Sequence, residues 1–405
     1  MKILLITSLY PCYKDQPKSE ITYAVHYFVR EWIRMNHEVI VINTRRVYPK
    51  IISFLKKGKK ANEDSTYYNF EIDGVKVYRM PIIKYPKGYY SKYSIKSSIN
   101  SIEKVMRDNN FNADVILSHM INPGGIVALN LKKKIDKPCI ITFHYGDILF
   151  LNNKGLNNFN KLEKYVDGYG FRSDSIKKNY LSIREKYNKP DVIVRSGIDR
   201  GYILDEKAIV EKSKKEIKKV IVVSSLIKRK NIDCIIKAIV DLNKEGIILS
   251  LIILGEGEEE VYLKELVEQL NAGRYITFIK EVDREEVFMY LEEANIFAMI
   301  SERETLGLVY LEAMAKGCIT IASKGEGVDG IIKDNVNGFL CKGRDVEELK
   351  NIIKKIIQMR NDDVKKMLLR ARNDMYNLSS ENVALDYLEF ISNVINEYSR
   401  NGEIL

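Results

Sequence analysis

Apolar residues fall along this chain in short unbroken runs. The stretches between them carry apolar positions at the three- and four-residue spacing of an amphipathic helix. The runs at 2–9, 39–43, 113–118, 138–143 and 190–195, with a weaker one at 165–169, predict strands in the first half of the chain. Those at 220–224, 250–254, 276–279, 296–300, 318–322 and 339–341 predict strands in the second. Helical spacing runs over 21–35, 126–132, 232–239, 259–270, 284–293, 308–316, 346–360, 363–375 and 380–398. Residues 70–80 alternate about an Asp73-Gly74 turn and predict a hairpin. Apolar strands alternating with helices predict parallel βαβ units in an α/β protein, with ligands at the C-terminal ends of the strands.

The chain has 405 residues, too many for one ordinary core, and suits two domains of about 200 residues each. An apolar content of 45% with 30% charged residues is that of a globular protein, and the formal charge of +10 favours polyanionic partners. Nucleotide diphosphates, nucleic acid and an anionic membrane face all qualify. Cys12, Cys139, Cys234, Cys318 and Cys341 are scattered, without a C-x-x-C pair, which argues against a disulfide framework and against a zinc site. The opening MKILLITSLY lacks a small-residue cleavage site and passes straight into the first strand, so it reads as structure and not as an export signal. No window of about 20 apolar residues occurs, so no membrane span is expected and the expected location is the cytoplasm. Residues 48–60 are basic with apolar residues between, either an amphipathic segment touching anionic lipid or a solvated excursion. Lys84, Lys87, Lys92 and Lys96 extend that basic character.

The most informative stretch is 295–323, NIFAMISERETLGLVYLEAMAKGCITIAS. After its first apolar run come Ser301, Glu302, Arg303 and Glu304, which are too polar for a core. Gly307 then opens a helix, and Gly317 ends it as a residue in the left-handed region does. Seven residues separate Glu304 from Glu312. The first lies in the loop that meets the helix start and the second lies one turn inside, so both line one end of one crevice. Between them the N–H groups of Gly307, Leu308 and Val309 are helix-start donors, which hold phosphate well. Amides for a diphosphate, with carboxylates for the hydroxyls of sugar and ribose, suit a sugar nucleotide.

SERETLGLVYLEAMAKG resembles the E-x7-E signature of the retaining, nucleotide-sugar-dependent glycosyltransferases of family 4. The resemblance implies the GT-B fold, two Rossmann-like βαβ domains facing each other across a donor-binding cleft. It places Glu304 on hydroxyls of the donor sugar and Glu312 on the ribose. In SSLIKRKN, where relatives read GRL…KG, Lys230 matches the family lysine that holds the diphosphate. Ser225 stands where relatives carry an arginine, and Lys228 and Arg229 are close enough in sequence to compensate. Gly255 and Gly257 match a G-x-G turn at which backbone comes near the nucleotide. TFHYGD resembles T-x-H-G-x-D and implies that His144 approaches the donor sugar near the reacting carbon, with His119 at the end of the preceding strand. MNHEVIVI resembles GHEVTVI, with Asn36 in the place of glycine. The Gly-Gly pair of many relatives' first loop is absent, and Lys14, Lys18 and Ser19 are the polar candidates there.

The resemblance further implies an acceptor-side domain at 1–205, a nucleotide-sugar domain at 206–378, and a helix at 379–405 that crosses back to the first domain. Val383, Tyr387, Phe390 and Ile391 are its apolar contacts, and the charged stretch 200–219 reads as the linker. The expected reaction moves a hexosyl unit, with retention, from a nucleotide-diphosphate sugar, UDP being the commoner carrier among relatives. The expected acceptor is a hydroxyl of a glycan or of an undecaprenyl-diphosphate-linked glycan at the inner face of the cell membrane, in bacterial surface polysaccharide assembly. No cofactor and no catalytic metal is called for, since no isolated D-x-D stands at a strand end.

Other classes fit less well. A dinucleotide-dependent oxidoreductase needs G-x-G-x-x-G after the first strand, and residues 10–20 contain no glycine. Nucleic-acid binding is allowed by the charge, yet the basic residues do not gather with aromatics in a familiar module. The alternative is a non-catalytic partner subunit of the same fold. The missing Gly-Gly pair and Ser225 favour it, whereas Glu304, Glu312 and Lys230 oppose it.

Overall fold

The computed structural model describes residues 1–14, 16, 23–48, 69–85, 90–152, 159–184, 187–304 and 306–402. Lys18, Ser19, Lys87 and the basic stretch at 49–60 lie outside the described residues. The chain divides into two compact units. One is Met1–Arg172 with Ile176–Val194 and Val383–Leu405, and the other is Arg195–Asn382 with Ser173–Ser175.

In the first unit, eight strands form one sheet: β1 (Lys2–Thr7), β2 (Glu38–Val47), β3 (Asn69–Ile72), β4 (Val75–Ile83), β5 (Val115–His119), β6 (Cys139–Phe143), β7 (Gly168–Phe171) and β8 (Asp191–Ile193). Their order is β3-β4-β2-β1-β5-β6-β7-β8. The pairings are parallel except in the β3–β4 hairpin, which turns at Asp73-Gly74. β5 and β6 are buried at every position, which is why they read as apolar runs and not as an alternation. Two strands depart from expectation. β2 continues beyond Asn43 because β4 pairs with it as far as Val47↔Ile83. The strand expected at 165–169 falls at Gly168–Phe171, with Glu163–Tyr165 forming a 3-10 turn before it. Asn36 takes a left-handed φ of 61° just past the helix Ala24–Arg34, in the place where relatives carry glycine.

The last helix, Ser380–Gly402, belongs to this unit from Val383 onward. Trp32 is fully buried and its indole N–H donates to the carbonyl of Ala384 at 3.1 Å. The hydroxyls of Tyr387 and Thr142 meet at 2.7 Å. Val383, Tyr387, Phe390 and Ile391 are all buried.

The second unit is a six-stranded parallel sheet of β9 (Lys219–Val223), β10 (Ser250–Leu254), β11 (Ile276–Ile279), β12 (Ile296–Met299), β13 (Ile319–Ser323) and β14 (Phe339–Cys341). Its order is β11-β10-β9-β12-β13-β14. The chain enters at β9, builds outward through β10 and β11, then returns to lay β12, β13 and β14 on the other side. The strand order therefore reverses between β9 and β12, the switch point at which sheets of this kind bind ligands in a crevice at the strand ends.

The charged stretch expected as a linker is ordered structure of the second unit. Arg200–Tyr202 is a 3-10 turn, and Glu206–Ser213 is a helix whose N-cap, Asp205, accepts from the Ala208 amide at 2.7 Å. Lys212 was the misleading residue. It is buried, and its ammonium donates to the carbonyls of Leu291 at 2.9 Å and Lys316 at 2.6 Å, near the C-terminal ends of two other helices. No helix among the described residues is long and apolar enough to cross a membrane, and all five cysteines are buried thiols.

Lys212→Met should leave both carbonyls without their donor and lower the stability of the second unit by about 2–4 kcal/mol. Urea denaturation of the full chain measures it. An unchanged midpoint would mean that the buried ammonium contributes nothing net.

Candidate functional site

The crevice of the second unit is built from two loops on neighbouring strands. After β9 the chain passes Ser224 and Ser225 and makes a 3-10 turn at Lys228–Lys230. Asn231 then takes a left-handed φ of 52° and starts the helix Ile232–Lys244. Asparagine is among the few residues besides glycine that adopt this conformation readily. The Asn231 amide donates to the carbonyl of Ile300 at 2.8 Å, tying the loop after β9 to the end of β12. A second tie runs from the Glu302 amide to the Arg229 carbonyl at 2.8 Å.

These ties bring Lys230 and Glu304 together. The ammonium sits 2.6 Å from Glu304 Oε2, and the two side chains are 10% and 12% exposed. Arg229 reaches the same oxygen at 3.3 Å. Burial pulls the Lys230 ammonium below the ordinary lysine range, and the adjacent carboxylate opposes that shift. Glu304 is also held by its backbone. Its amide donates to Glu326 Oε2 at 2.7 Å, and its carbonyl accepts from the Gly327 amide at 3.0 Å. Among the described residues both of these cations meet the Glu304 carboxylate at Oε2, which leaves the lone pairs of Oε1 unclaimed by them.

Gly307 is the N-cap of the helix Leu308–Ala315, with φ 71°, and having no side chain it gives the helix start no side-chain cap. A Cβ here would lie 2.8 Å from the Tyr310 ring, so position 307 admits only glycine without rearrangement. The first amides of this helix, including those of Leu308 and Val309, lack intrahelical partners by geometry. Glu312 lies one turn in and pairs with Arg284, whose Nη2 is 2.8 Å from Oε1. Gly255 and Gly257 also have a local packing role. A Cβ at Gly255 would meet the Ser224 carbonyl at 2.0 Å, and one at Gly257 the Leu226 carbonyl at 2.4 Å. The two glycines let the turn after β10 lie against the loop that carries Ser225. Ser225 and Lys228 are exposed, and of the candidate replacements for the family arginine it is Arg229 that reaches Glu304.

His144 belongs to the first unit. It follows β6 and precedes the helix Tyr145–Phe150. Its Nε2 lies 3.1 Å from Nδ1 of His119, which ends β5 and is fully buried. One imidazole must donate and the other accept, so the contact requires the accepting ring to be neutral. Burial drives both well below the usual histidine range. The neighbouring His119 and then the Arg172 guanidinium add to this at His144, and Arg172 does the same at His119. Asp147, also fully buried, fixes the backbone around the pair. It accepts from the amides of His144 at 2.9 Å and Ile121 at 2.8 Å. Burial raises its carboxyl to about 7 against the pull of those hydrogen bonds.

Thus Lys230, Arg229 and Glu304 are brought together, Glu312 and Gly307 share the neighbouring helix, and His144 is paired with His119 in the other unit. Three contributors escaped the sequence. Asn231 carried a weak signal, since asparagine is a residue type that takes a left-handed φ readily. Glu326 and Arg284 carried none, because their roles depend on partners distant in sequence. Among the described residues no group of three His, Cys, Asp or Glu side chains is arranged to hold a metal ion.

Comparison with known proteins gives concordant results. A family model described as Glycosyl transferases group 1 matches residues 205–374, and one described as Glycosyltransferase Family 4 matches residues 21–195. N-acetyl-alpha-D-glucosaminyl L-malate synthase of Bacillus anthracis is 24% identical over 369 residues, covering 87% of this chain and 91% of that protein. The uncharacterized glycosyltransferase MJ1069 of Methanocaldococcus jannaschii is 30% identical over 330 residues, covering 73% and 79%. Among solved structures, sucrose-phosphate synthase from Thermosynechococcus elongatus matches with a TM-score of 0.71 at 17% identity over 98% of this chain and 99% of that one. HepE of Anabaena in complex with UDP matches with a TM-score of 0.69 at 16% identity over 97% and 100%. These structural likenesses show the fold, two Rossmann-like domains of the GT-B type.

The histidine pair makes a prediction about pH. His119 is held neutral when folded and titrates normally, near 6.5, when unfolded. Its contribution to stability is therefore complete above pH 6.5 and is lost as pH falls, because the unfolded chain takes up the proton first. Well below 6.5 it adds a slope of up to roughly 1.4 kcal/mol per pH unit. His119→Phe should remove that slope between pH 6.5 and 5 in denaturation measured across the range. An unchanged slope would mean that His119 is protonated in the folded chain.

Proposed function

The chain belongs to the group 1 glycosyltransferases, which transfer a sugar from a nucleoside-diphosphate donor, and from that premise we propose that it moves a hexosyl unit from a UDP-sugar, with retention, to a hydroxyl of a glycan or lipid-linked glycan in bacterial surface polysaccharide assembly. The observation that carries this reading is the Lys230–Glu304 pair at the switch point of the second unit, beside a helix start whose N-cap is a glycine. A cation and helix-start amides suit a leaving diphosphate, and a carboxylate with one oxygen unclaimed suits a sugar hydroxyl.

In the proposed step the bond from the anomeric carbon to the diphosphate oxygen breaks, and the acceptor oxygen bonds to that carbon on the same face. The acceptor's proton passes to the departing diphosphate. Positive charge develops on the sugar ring and negative charge on the leaving group, so groups preorganised for these charges lower the barrier. Lys230, with Arg229 and the amides of Gly307, Leu308 and Val309, addresses the leaving group. Glu304 orients the sugar and Glu312 takes the ribose. Lys230 donates to Glu304, so a diphosphate that takes the ammonium leaves the carboxylate to a sugar hydroxyl. His144 is carried as the sugar-contacting residue of the first unit on the strength of its motif, and its neutral state suits a hydrogen bond to a hydroxyl. The acceptor is assigned to the domain at 1–205, whose basic residues suit a diphosphate-linked substrate at an anionic membrane face.

The purified chain should be stabilised by one UDP-sugar in a thermal-shift screen against UDP-, GDP- and ADP-sugars, and should cleave that donor slowly, as read by mass spectrometry. Stabilisation by a GDP- or ADP-sugar would replace the assigned base. No response to any donor would point to the non-catalytic subunit. Proton NMR of the transferred anomeric centre tests retention.

Glu304→Gln should reduce transfer by at least about a hundredfold while changing nucleoside-diphosphate affinity little, because its partner is the sugar. Glu312→Ala should lose most of its effect in nucleotide affinity. Titration calorimetry with steady-state kinetics separates the two, and equal loss of nucleotide affinity in both variants would sink this division of roles.

A further inference from the structure

Glu312 is gripped by a residue that no motif marks. Arg284 opens the helix Arg284–Glu293. Its Nε and Nη2 both approach Glu312 Oε1, at 3.0 and 2.8 Å, and neither contact falls on Oε2. The two side chains are 19% and 12% exposed, so this is not a loose surface bridge. The guanidinium is also confined by rings. Its carbon lies 5.2 Å from the centre of the Tyr202 ring and 5.4 Å from that of Phe288, and those rings stack on each other at 4.0 Å. The first residue of a helix is the least favourable place on it for a cation, because the amide dipoles there point their positive ends outward. Glu312 and the two rings offset that cost. Two donors converging on one oxygen is also a geometry that the guanidinium fork supplies and a lysine does not.

We propose that Arg284 is a positioning residue for ribose recognition: by fixing Oε1 of Glu312 it holds Oε2 where the vicinal hydroxyls of a ribose donate to it, and so sets the preference for ribonucleotide over deoxyribonucleotide donors. This rests on the assignment of Glu312 to the ribose. A glutamate that must surrender its rotamers when ligand arrives binds less tightly than one already held, and the difference appears as affinity.

The test is titration calorimetry on the full chain with whichever of UDP, GDP and ADP binds most tightly, and with its 2′,3′-dideoxy counterpart. The variants are Glu312→Gln, Arg284→Gln, Arg284→Lys and the Arg284→Gln/Glu312→Gln double. Arg284→Gln should weaken the ribonucleotide about tenfold and leave the dideoxy form unchanged. Arg284→Lys keeps the charge and should fall between, which also serves if the glutamine variant does not fold. The double variant should bind like Glu312→Gln alone. Equal losses for the two nucleotides, or a loss that adds in full to that of Glu312→Gln, would give Arg284 a structural part only and overturn the proposal. If Glu312→Gln keeps the wild-type preference for the ribonucleotide, the assignment of Glu312 fails and the proposal fails with it. The Glu312 variant alone tells these failures apart.

Discussion

The constraint on which the rest depends is that the central parallel strands of both sheets are buried. Strands such as β5, β6, β12 and β13 have no exposed residue. A charged side chain within them would lose its hydration without gaining a partner. Polar chemistry is therefore displaced to the ends of strands, and in a parallel sheet the C-terminal ends all lie on one side. Reversal of strand order between β9 and β12 then sets two loops side by side just where polar residues are permitted. The site of the second unit follows from sheet topology before any particular residue is chosen.

What is chosen there is paired charge. Lys230 with Glu304, and Arg284 with Glu312, are each largely withdrawn from water. Such pairs are poor investments for stability alone, because the attraction roughly repays the desolvation of both ions. Their value is geometric. A carboxylate that already has one oxygen engaged keeps the other in a known place, and an ammonium held against a carboxylate is available to a stronger anion. The backbone contacts of Glu304 with Glu326 and Gly327 serve the same end, since they fix the loop before any ligand arrives.

In the first unit the same logic is written with neutral groups. His119 and His144 share one hydrogen bond under a burial that keeps both uncharged, and Asp147 holds the two loop backbones around them. The last helix adds Tyr387 to this region, with its ring 6.0 Å from that of His119. The ordering of a polar strand end thus draws on residues from β5, β6 and the C-terminus of the chain.

Much of this was legible in the amino-acid sequence. The bounds of β10, β11, β14 and the helix Arg284–Glu293 agree with those expected, because a buried strand must be apolar throughout and a half-buried helix must repeat. The spacing of Glu304 and Glu312 placed one before a helix and one a turn inside it, a local matter that local sequence decides. Asn36, standing in the place of glycine, announced a left-handed position by its type. Beyond that reach the tertiary structure decided. Lys212 read as linker charge and is a buried donor to two helix ends, since a charge satisfied inside a protein and a charge in water have the same letter. β2 gained its last residues from β4, and Glu304 found Lys230 across 74 residues. Arg284 met Glu312 across 28. Periodicity records how much each residue is buried, but which charge faces which is set by distance in space, and only the folded chain supplies that distance.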